Sequence, residues 1–367
     1  MLGCVAYIEP RGSESAIKPE KRRRTTITMV VYLRAARDVL VTWMLAFWHM
    51  LLTYYIGTIT VVRQWTECPL AFPEFPRQAD RVAVITGATS GIGYETARIL
   101  ARLGAHVIVA ANNRKEGTTV AATIAKETLN DKVDFMFLDL SSFASVRRFA
   151  ADLAARGLPV HVMVSNAGVM LLPEDYTSDG LERHFHVNFV GAALLVRLML
   201  PLLHSSGRAD RPSTLVAMAS ATHRVAHLSQ TPVGCYSAHE AYARSKLALV
   251  LFWRSTARRV WCRRMHVSLR LADPGVVVTP LFRHGSLFLR FVLRLARPLT
   301  PRNARQAASN SVFAALSRVS PGPEVPYFED GKDRPPFPVT LDQQLQDRAW
   351  EMARRLTYAN DDQDWDL

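Results

Sequence analysis

The sequence predicts an α/β domain on a doubly wound parallel sheet, carried behind a single N-terminal membrane-spanning helix. Three observations predict it. Six short apolar runs alternate with helix-like segments from residue 80 onward. A glycine-rich turn follows the first of those runs. Ahead of them, Val39 to Val62 form 24 residues in which only His49 can carry charge.

Residues 1–38 are polar and basic, with a run from Lys21 to Arg24. They offer nothing for a packed core and read as an extension. Met29 is an alternative start, which would make the first 28 residues an upstream piece; both readings stay open. Residues 39–62 are long enough to cross a bilayer, which takes about 20 residues. Trp43, Trp48, Tyr54, Tyr55 and Trp65 suit interface depths. A signal peptide fits less well, because its apolar part is about 7–15 residues and no small-residue cleavage site follows. The basic N-terminal side favours a cytosolic N-terminus. A basic domain without a disulfide pattern argues the other way, so orientation stays open. Residues 63–79 contain Pro69, Pro73 and Pro76 and read as a linker.

The domain proper is expected over residues 80–332. Its runs are VAVIT, HVIVAA, VDFMFLD, HVMVSNAG, STLVAMAS and HVSLRLADPG. Each is short, rich in β-branched residues and followed by a helical pattern, which is how parallel strands between two helical layers read. The first run ends in TGATSGIGYETARILARLG. Gly87, Gly91 and Gly93 there supply a tight turn, close backbone approach to a pyrophosphate, and close helix–strand packing. Ser90 and Ile92 lie within the same turn, and the helix N-terminus offers free N–H groups to phosphate. This is a Rossmann-type dinucleotide site. After the second run, Asn112 and Asn113 precede Arg114 and Lys115, with no carboxylate to exclude a 2′-phosphate. The strand end therefore admits NAD or NADP and leans toward NADP.

Tyr242 and Lys246, in HEAYARSKLAL, are four residues apart and share one helix face. Such a pair can place an ammonium beside a phenol and lower its pKa, making it a general acid/base near working pH. Residues 333–367 are expected to hold one docking helix, with Leu341, Leu345, Met352 and Leu356 inward, and a frayed acidic tail. Leu281 to Leu299, if helical, puts Arg283, Arg290, Arg294 and Arg297 on one stripe opposite Phe288, Phe291 and Leu295. That helix fits either a membrane interface or a cover over the pocket.

These motifs resemble those of the short-chain dehydrogenases/reductases from about Arg81 to Asp330. TGATSGIG matches the family's glycine motif, LDLSS carries Asp139 and Leu140, and SNAG carries Asn166. Asn188, Ser220, Tyr242 and Lys246 match the family's catalytic tetrad, and DPGVVVT with Thr279 matches the loop over the nicotinamide. Ser165, Ala217 and Ala219 depart from the pattern. Within the family, PYFEDGK and the long interval from Ser220 to Tyr242 resemble the retinol-dehydrogenase-like branch. LARLGAHVIVAANN, ETLNDKVDF and AYARSKLALVLF resemble its polyprenol dehydrogenases.

The resemblance implies Asp139 and Leu140 along the adenine, Ser220 polarising the substrate oxygen and Asn188 steadying a relay water. It implies Lys246 on the nicotinamide ribose. It implies NAD(P)-linked interconversion of polyprenol and polyprenal, and of dolichal and dolichol, at the endoplasmic reticulum membrane or a lipid droplet. Retinol or a hydroxysteroid is the alternative substrate, and a non-catalytic cofactor-binding scaffold or sensor is the alternative class.

The net charge of +13 suits an anionic membrane surface better than nucleic acid, since no zinc-finger spacing or RNA-binding signature is present. Cys4, Cys68, Cys235 and Cys262 form neither a disulfide framework nor a metal site. Homo-oligomerisation stays open.

Overall fold

The computed structural model describes residues 17–67, 74–228, 236–285, 287, 291, 302–319 and 322–358, with residues 17–35 and 42 as backbone alone. Eight strands form one sheet: β1 Val82–Thr86, β2 His106–Ala111, β3 Val133–Phe137, β4 Val162–Ser165, β5 Ser213–Met218, β6 Val267–Asp273, β7 Tyr327–Glu329 and β8 Lys332–Arg334. Their order is β3-β2-β1-β4-β5-β6-β7-β8. Every pair is parallel except β7 with β8. The order reverses between β1 and β4, and a ligand crevice opens at such a switch point above the carboxyl strand ends.

Strand residues alternate between two cores, as the two-residue period requires. Val82, Val84, Ile108, Leu215 and Leu271 face one core with α4 (Phe143–Ala155), α5 (Arg183–Ser206), α6 (Ala238–Cys262) and α8 (Gln343–Tyr358). Ala83, Ile85, Val107, Val109 and Val216 face the other with α2 (Gly91–Arg102), α3 (Arg114–Thr128) and α7 (Ala304–Leu316).

β7 and β8 were not among the six expected strands. The hairpin turns at Asp330 and Gly331, both at positive φ (58° and 67°). The sheet therefore runs through the expected boundary at 332/333, and α8 belongs to the core. Its anchors are Ala349, Trp350 and Ala353, all buried. Trp350 stacks on Phe252 of α6 at 5.4 Å, and the Arg259 guanidinium lies over the Trp350 ring at 4.5 Å. Leu345, Met352 and Leu356 pack against this core as expected, but Leu341 is 54% exposed. It sits in the 3-10 turn Pro338–Leu341 ahead of α8, off the helix's docking face.

The N-terminal helix is longer than expected. α1 runs unbroken from Ile17 to Thr66, joining the basic segment to the apolar one. It stops just ahead of Pro69, whose ring and missing N–H would end it. Ala36–Thr66 is long and apolar enough to cross a membrane, and hardly any of it is buried. α5 passes the same test but is mostly buried in the core. The expected helix over 281–299 falls largely outside the described residues, as do the acidic tail and Cys4, Cys68 and Cys235. Pro280–His284 at its start is a 3-10 turn.

Candidate active site

The crevice opens beside β1. A Cβ on Gly87, where φ is +66°, would stand 2.8 Å from the Ala167 backbone, so only glycine lets β1 turn against β4. A Cβ on Gly93 would overlap Asn166 Nδ2 and the Gly87 carbonyl, so the first turn of α2 sits hard against the loop. Ser90 precedes α2 in extended backbone, and its side chain makes no capping bond. The first N–H groups of α2 thus lack a side-chain acceptor and are available to an anion.

Asn166 clamps this turn. Its Nδ2 donates to the carbonyls of Thr86 (2.9 Å) and Gly87 (3.2 Å), and its N–H donates to Thr86 Oγ1 (3.0 Å). Thr86 Oγ1 also accepts from Ala167 N–H at 3.0 Å. Thr86 carries this work and went unnoticed in the sequence, where it looks like the end of a strand.

All twelve candidate cofactor residues line one crevice of about 250 Å³. Gly87, Ser90, Gly91, Ile92 and Gly93 line it from the turn after β1, and Asn112, Asp139 and Leu140 from the segments after β2 and β3. Asn166, Thr279, Tyr242 and Lys246 complete the lining. Asp139 Oδ1 accepts from the N–H (2.9 Å) and Oγ (2.7 Å) of Ser141, which holds the loop after β3. Thr279 caps the 3-10 turn and packs its Cβ and Cγ2 against Gly91. Asn112 is exposed to the crevice, whereas Asn113 is spent capping α3 through Glu116 N–H. The Arg114 guanidinium lies over Phe137 at 4.4 Å rather than in the crevice, so the expected lean toward NADP has no described cation from this segment behind it.

The four candidate catalytic residues come from three elements. Ser220 lies two residues beyond β5 and caps the 3-10 turn Ala221–Val225, accepting from Thr222 Oγ1 at 3.0 Å. Tyr242, on α6, hydrogen-bonds Ser220 with its hydroxyl and is 4% exposed. Lys246, one turn along, is 5% exposed; its Nζ lies 5.9 Å from the Tyr242 ring centre and donates to Met218 O at 2.8 Å. Asn188 sits in a π-helical turn, His186–Val190, within α5. Its Oδ1 accepts from Val169 N–H (2.8 Å), and its Nδ2 donates to Val169 O (3.0 Å) and Ser245 Oγ (2.9 Å). The Asn188 side chain thus holds the loop after β4 to α6. Ser245, beside Lys246 in sequence, was missed because its hydroxyl matters only through this contact.

The electrostatics correct one expectation. Burial pushes the Tyr242 phenol up to about 12, opposed by the Ser220 hydrogen bond and reinforced by the Asp273 carboxylate. The net shift is upward, because burial outweighs the lowering expected from a neighbouring ammonium. Burial in turn brings Lys246 down to about 8, against the pull of Asp273. Asp273, 1% exposed, is held by Tyr327 Oη (2.5 Å) and by Gly275 N–H (2.9 Å). No group of His, Cys, Asp and Glu suited to a metal occurs among the described residues.

The short chain dehydrogenase family model matches residues 81–286. The human polyprenol dehydrogenase is 39% identical over 310 residues, covering 83% of this chain and 94% of that protein. Human retinol dehydrogenase 12 is 36% identical over 279 residues, 75% of this chain and 86% of that protein. A crystal structure of an uncharacterized protein from Mycobacterium paratuberculosis superposes with a TM-score of 0.63 at 28% identity, covering 79% of this chain and 98% of that one. With the glycine turn, the Ser220–Tyr242–Lys246 group and these relatives together, the chain belongs to the short-chain dehydrogenase family of NAD(P)-dependent oxidoreductases.

Proposed function

We propose that this protein is a membrane-bound oxidoreductase that interconverts a long-chain isoprenoid alcohol and its aldehyde, polyprenol with polyprenal and dolichal with dolichol. The observation that carries the chemistry is a buried Tyr242 hydroxyl bonded to Ser220, with Lys246 one turn away, in the lining of the glycine-turn crevice.

Gly87, Ser90, Gly91, Gly93 and Asn166 would hold a dinucleotide in this crevice, and when bound it would supply or accept the hydride. The protein's own residues handle the oxygen. Ser220 Oγ donates to the substrate oxygen and polarises it. In reduction, Tyr242 Oη gives its proton to that oxygen as charge builds there, and a phenol near 12 stays protonated through neutral pH. In oxidation, the ionised form of Tyr242 takes the proton from the alcohol, and a charged Lys246 stabilises that phenolate. Lys246 keeps that charge below about pH 8. Asn188, with its amide saturated, holds the loop carrying Gly168 and Val169 beside the reacting centre.

Substrate class rests on the polyprenol dehydrogenase relatives and on the apolar surroundings of the site. Met170, Leu171 and Tyr242 form a small cluster with Leu281 and Phe282. α1 exposes Leu40, Trp43, Met44, Phe47 and Trp48, a surface that suits lipid. That helix would keep the protein at the endoplasmic reticulum membrane or a lipid droplet, where such substrates dissolve. Retinoid turnover is the second reading, favoured by the retinol dehydrogenase relative.

The test is hydride transfer by full-length protein in detergent, with NADH and NADPH, across polyprenal, dolichal, retinal and a ketosteroid. Isoprenoid turnover that Tyr242→Phe abolishes while NADPH or NADH still binds is the expected result. Turnover of retinal alone would install the second reading. Cofactor binding without any turnover would make the protein a sensor.

A further inference from the structure

α1 does more than lead into the domain. Thr53, Thr60 and Gln64 recur at intervals of seven and four residues and share one helix face. They are 8%, 5% and 3% exposed, on a helix whose other side leaves Tyr55, Ile59, Val62 and Trp65 half-exposed or more. The two threonine hydroxyls donate within the helix, to His49 O and Ile56 O, both at 2.8 Å, so burying them costs no hydrogen bond.

That face lies on the elements that carry the chemistry. α1 packs against the 3-10 turn that starts from Ser220 and against α6, which bears Tyr242 and Lys246. The Tyr54 ring meets His239 of α6 at 5.6 Å. Two ion pairs pin the foot of α1: Arg63 with Glu329 at the end of β7, and Glu67 with Arg334 of β8. The helix thereby crosses the carboxyl edge of the sheet at β5, β6 and β7, the edge at which substrates bind in this architecture.

A tight approach is made at Gly275. Its φ is +69°, and a Cβ there would overlap Gln64 Nε2. Gly275 belongs to the turn Asp273–Pro274–Gly275, whose Pro274 lines the crevice and whose other side is tied by Asn310 Nδ2 to Asp273 O (3.0 Å). Neither amide atom of Gln64 has a hydrogen-bond partner among the described residues. Its shape, not its polarity, is what the position uses.

We propose that the N-terminal helix buttresses the active site from behind, and that Gln64 is a positioning residue which packs the Asp273–Gly275 turn into place against the cofactor crevice. The inference rests on the cofactor reading of that crevice.

The experiment compares full-length wild type, Gln64→Ala, Gln64→Met and Tyr55→Ala in detergent micelles. It measures the NADPH and NADH dissociation constants by tryptophan fluorescence, kcat and KM with polyprenal, and thermal melting. Gln64→Ala opens space beside Gly275 and is expected to raise the cofactor dissociation constant and KM by about tenfold, a misplacement effect, with kcat less affected. Gln64→Met refills that space and is expected to return both to within about twofold of wild type, melting no lower, since no hydrogen bond is lost. Tyr55→Ala, on the opposite face, is expected to leave the constants alone. Should Gln64→Ala not fold, Gln64→Asn, which is one methylene shorter, carries the same comparison. Wild-type constants in the truncated variant, a loss that Met does not restore, or an equal loss in Tyr55→Ala each overturns the proposal. Failure of the wild type to bind either nucleotide overturns the cofactor reading and this proposal together.

Discussion

Replacing Lys246 by Met removes one buried ammonium, and the structure says how stability should then depend on pH. Lys246 is brought from 10.5 to about 8 in the folded chain, with burial as the main cause. Between those two values the unfolded chain holds a proton that the folded chain has released. Unfolding free energy therefore rises with pH across the window, by about 1.4 kcal/mol per unit. The whole window is worth about 3 kcal/mol to the wild type, gained as pH goes from 8 toward 10.5 and absent below 8. Lys246→Met lacks this term at every pH. It also strands the Met218 carbonyl that Nζ now bonds at 2.8 Å, but that loss does not vary with pH. Tyr242, raised to about 12, acts in the opposite sense above pH 10 and is present in both proteins. The measurement is urea unfolding of both full-length proteins in micelles at pH 7.5, 9 and 10. The stability difference should move in favour of wild type by about 2–3 kcal/mol across that range. Parallel stabilities at the three pH values would refute a buried, easily deprotonated Lys246. The same ionisation sets activity: the oxidation rate assisted by the ammonium should fall above about pH 8.

Three further outcomes follow from the same packing and contacts. Gly93→Ala drives a methyl into Asn166 Nδ2 and the Gly87 carbonyl; NADPH affinity, read by calorimetry, should drop by more than about tenfold in a chain that still folds. Trp350→Ala removes a buried ring that stacks on Phe252 and lies under Arg259 and should cost about 3–5 kcal/mol of stability by denaturant titration, with nucleotide affinity unchanged where the protein remains folded. Ser220→Ala removes a donor to the substrate oxygen and should lower kcat by about 100-fold while leaving the cofactor dissociation constant within twofold.

Much of the site was legible because its signals are local. A glycine turn between a buried strand and a helix, and a tyrosine and lysine one turn apart, are set by backbone geometry over a few residues. The strands of the sheet interior were legible for a related reason: VAVIT and STLVAM are buried on both faces, so they read as unbroken apolar runs. β7 and β8 are three residues each, too short for any periodicity, and exist through pairing with β6. The Tyr242 phenol shows the limit from the other side. Spacing placed an ammonium beside it, yet burial, which spacing does not contain, pushes it upward.

By itself, then, the amino-acid sequence determined the α/β class and the nucleotide turn, and it named the candidate catalytic residues and an apolar helix at the N-terminus. Each depends on contacts between near neighbours in the chain. Only the tertiary structure decided that this helix runs from Ile17 to Thr66 and lays Gln64 on Gly275, 211 positions away in the numbering. It alone decided that Thr86, Ser245 and Asp273 hold the site together. Desolvation and long-range packing exist only once the chain has closed on itself, so no local pattern records them.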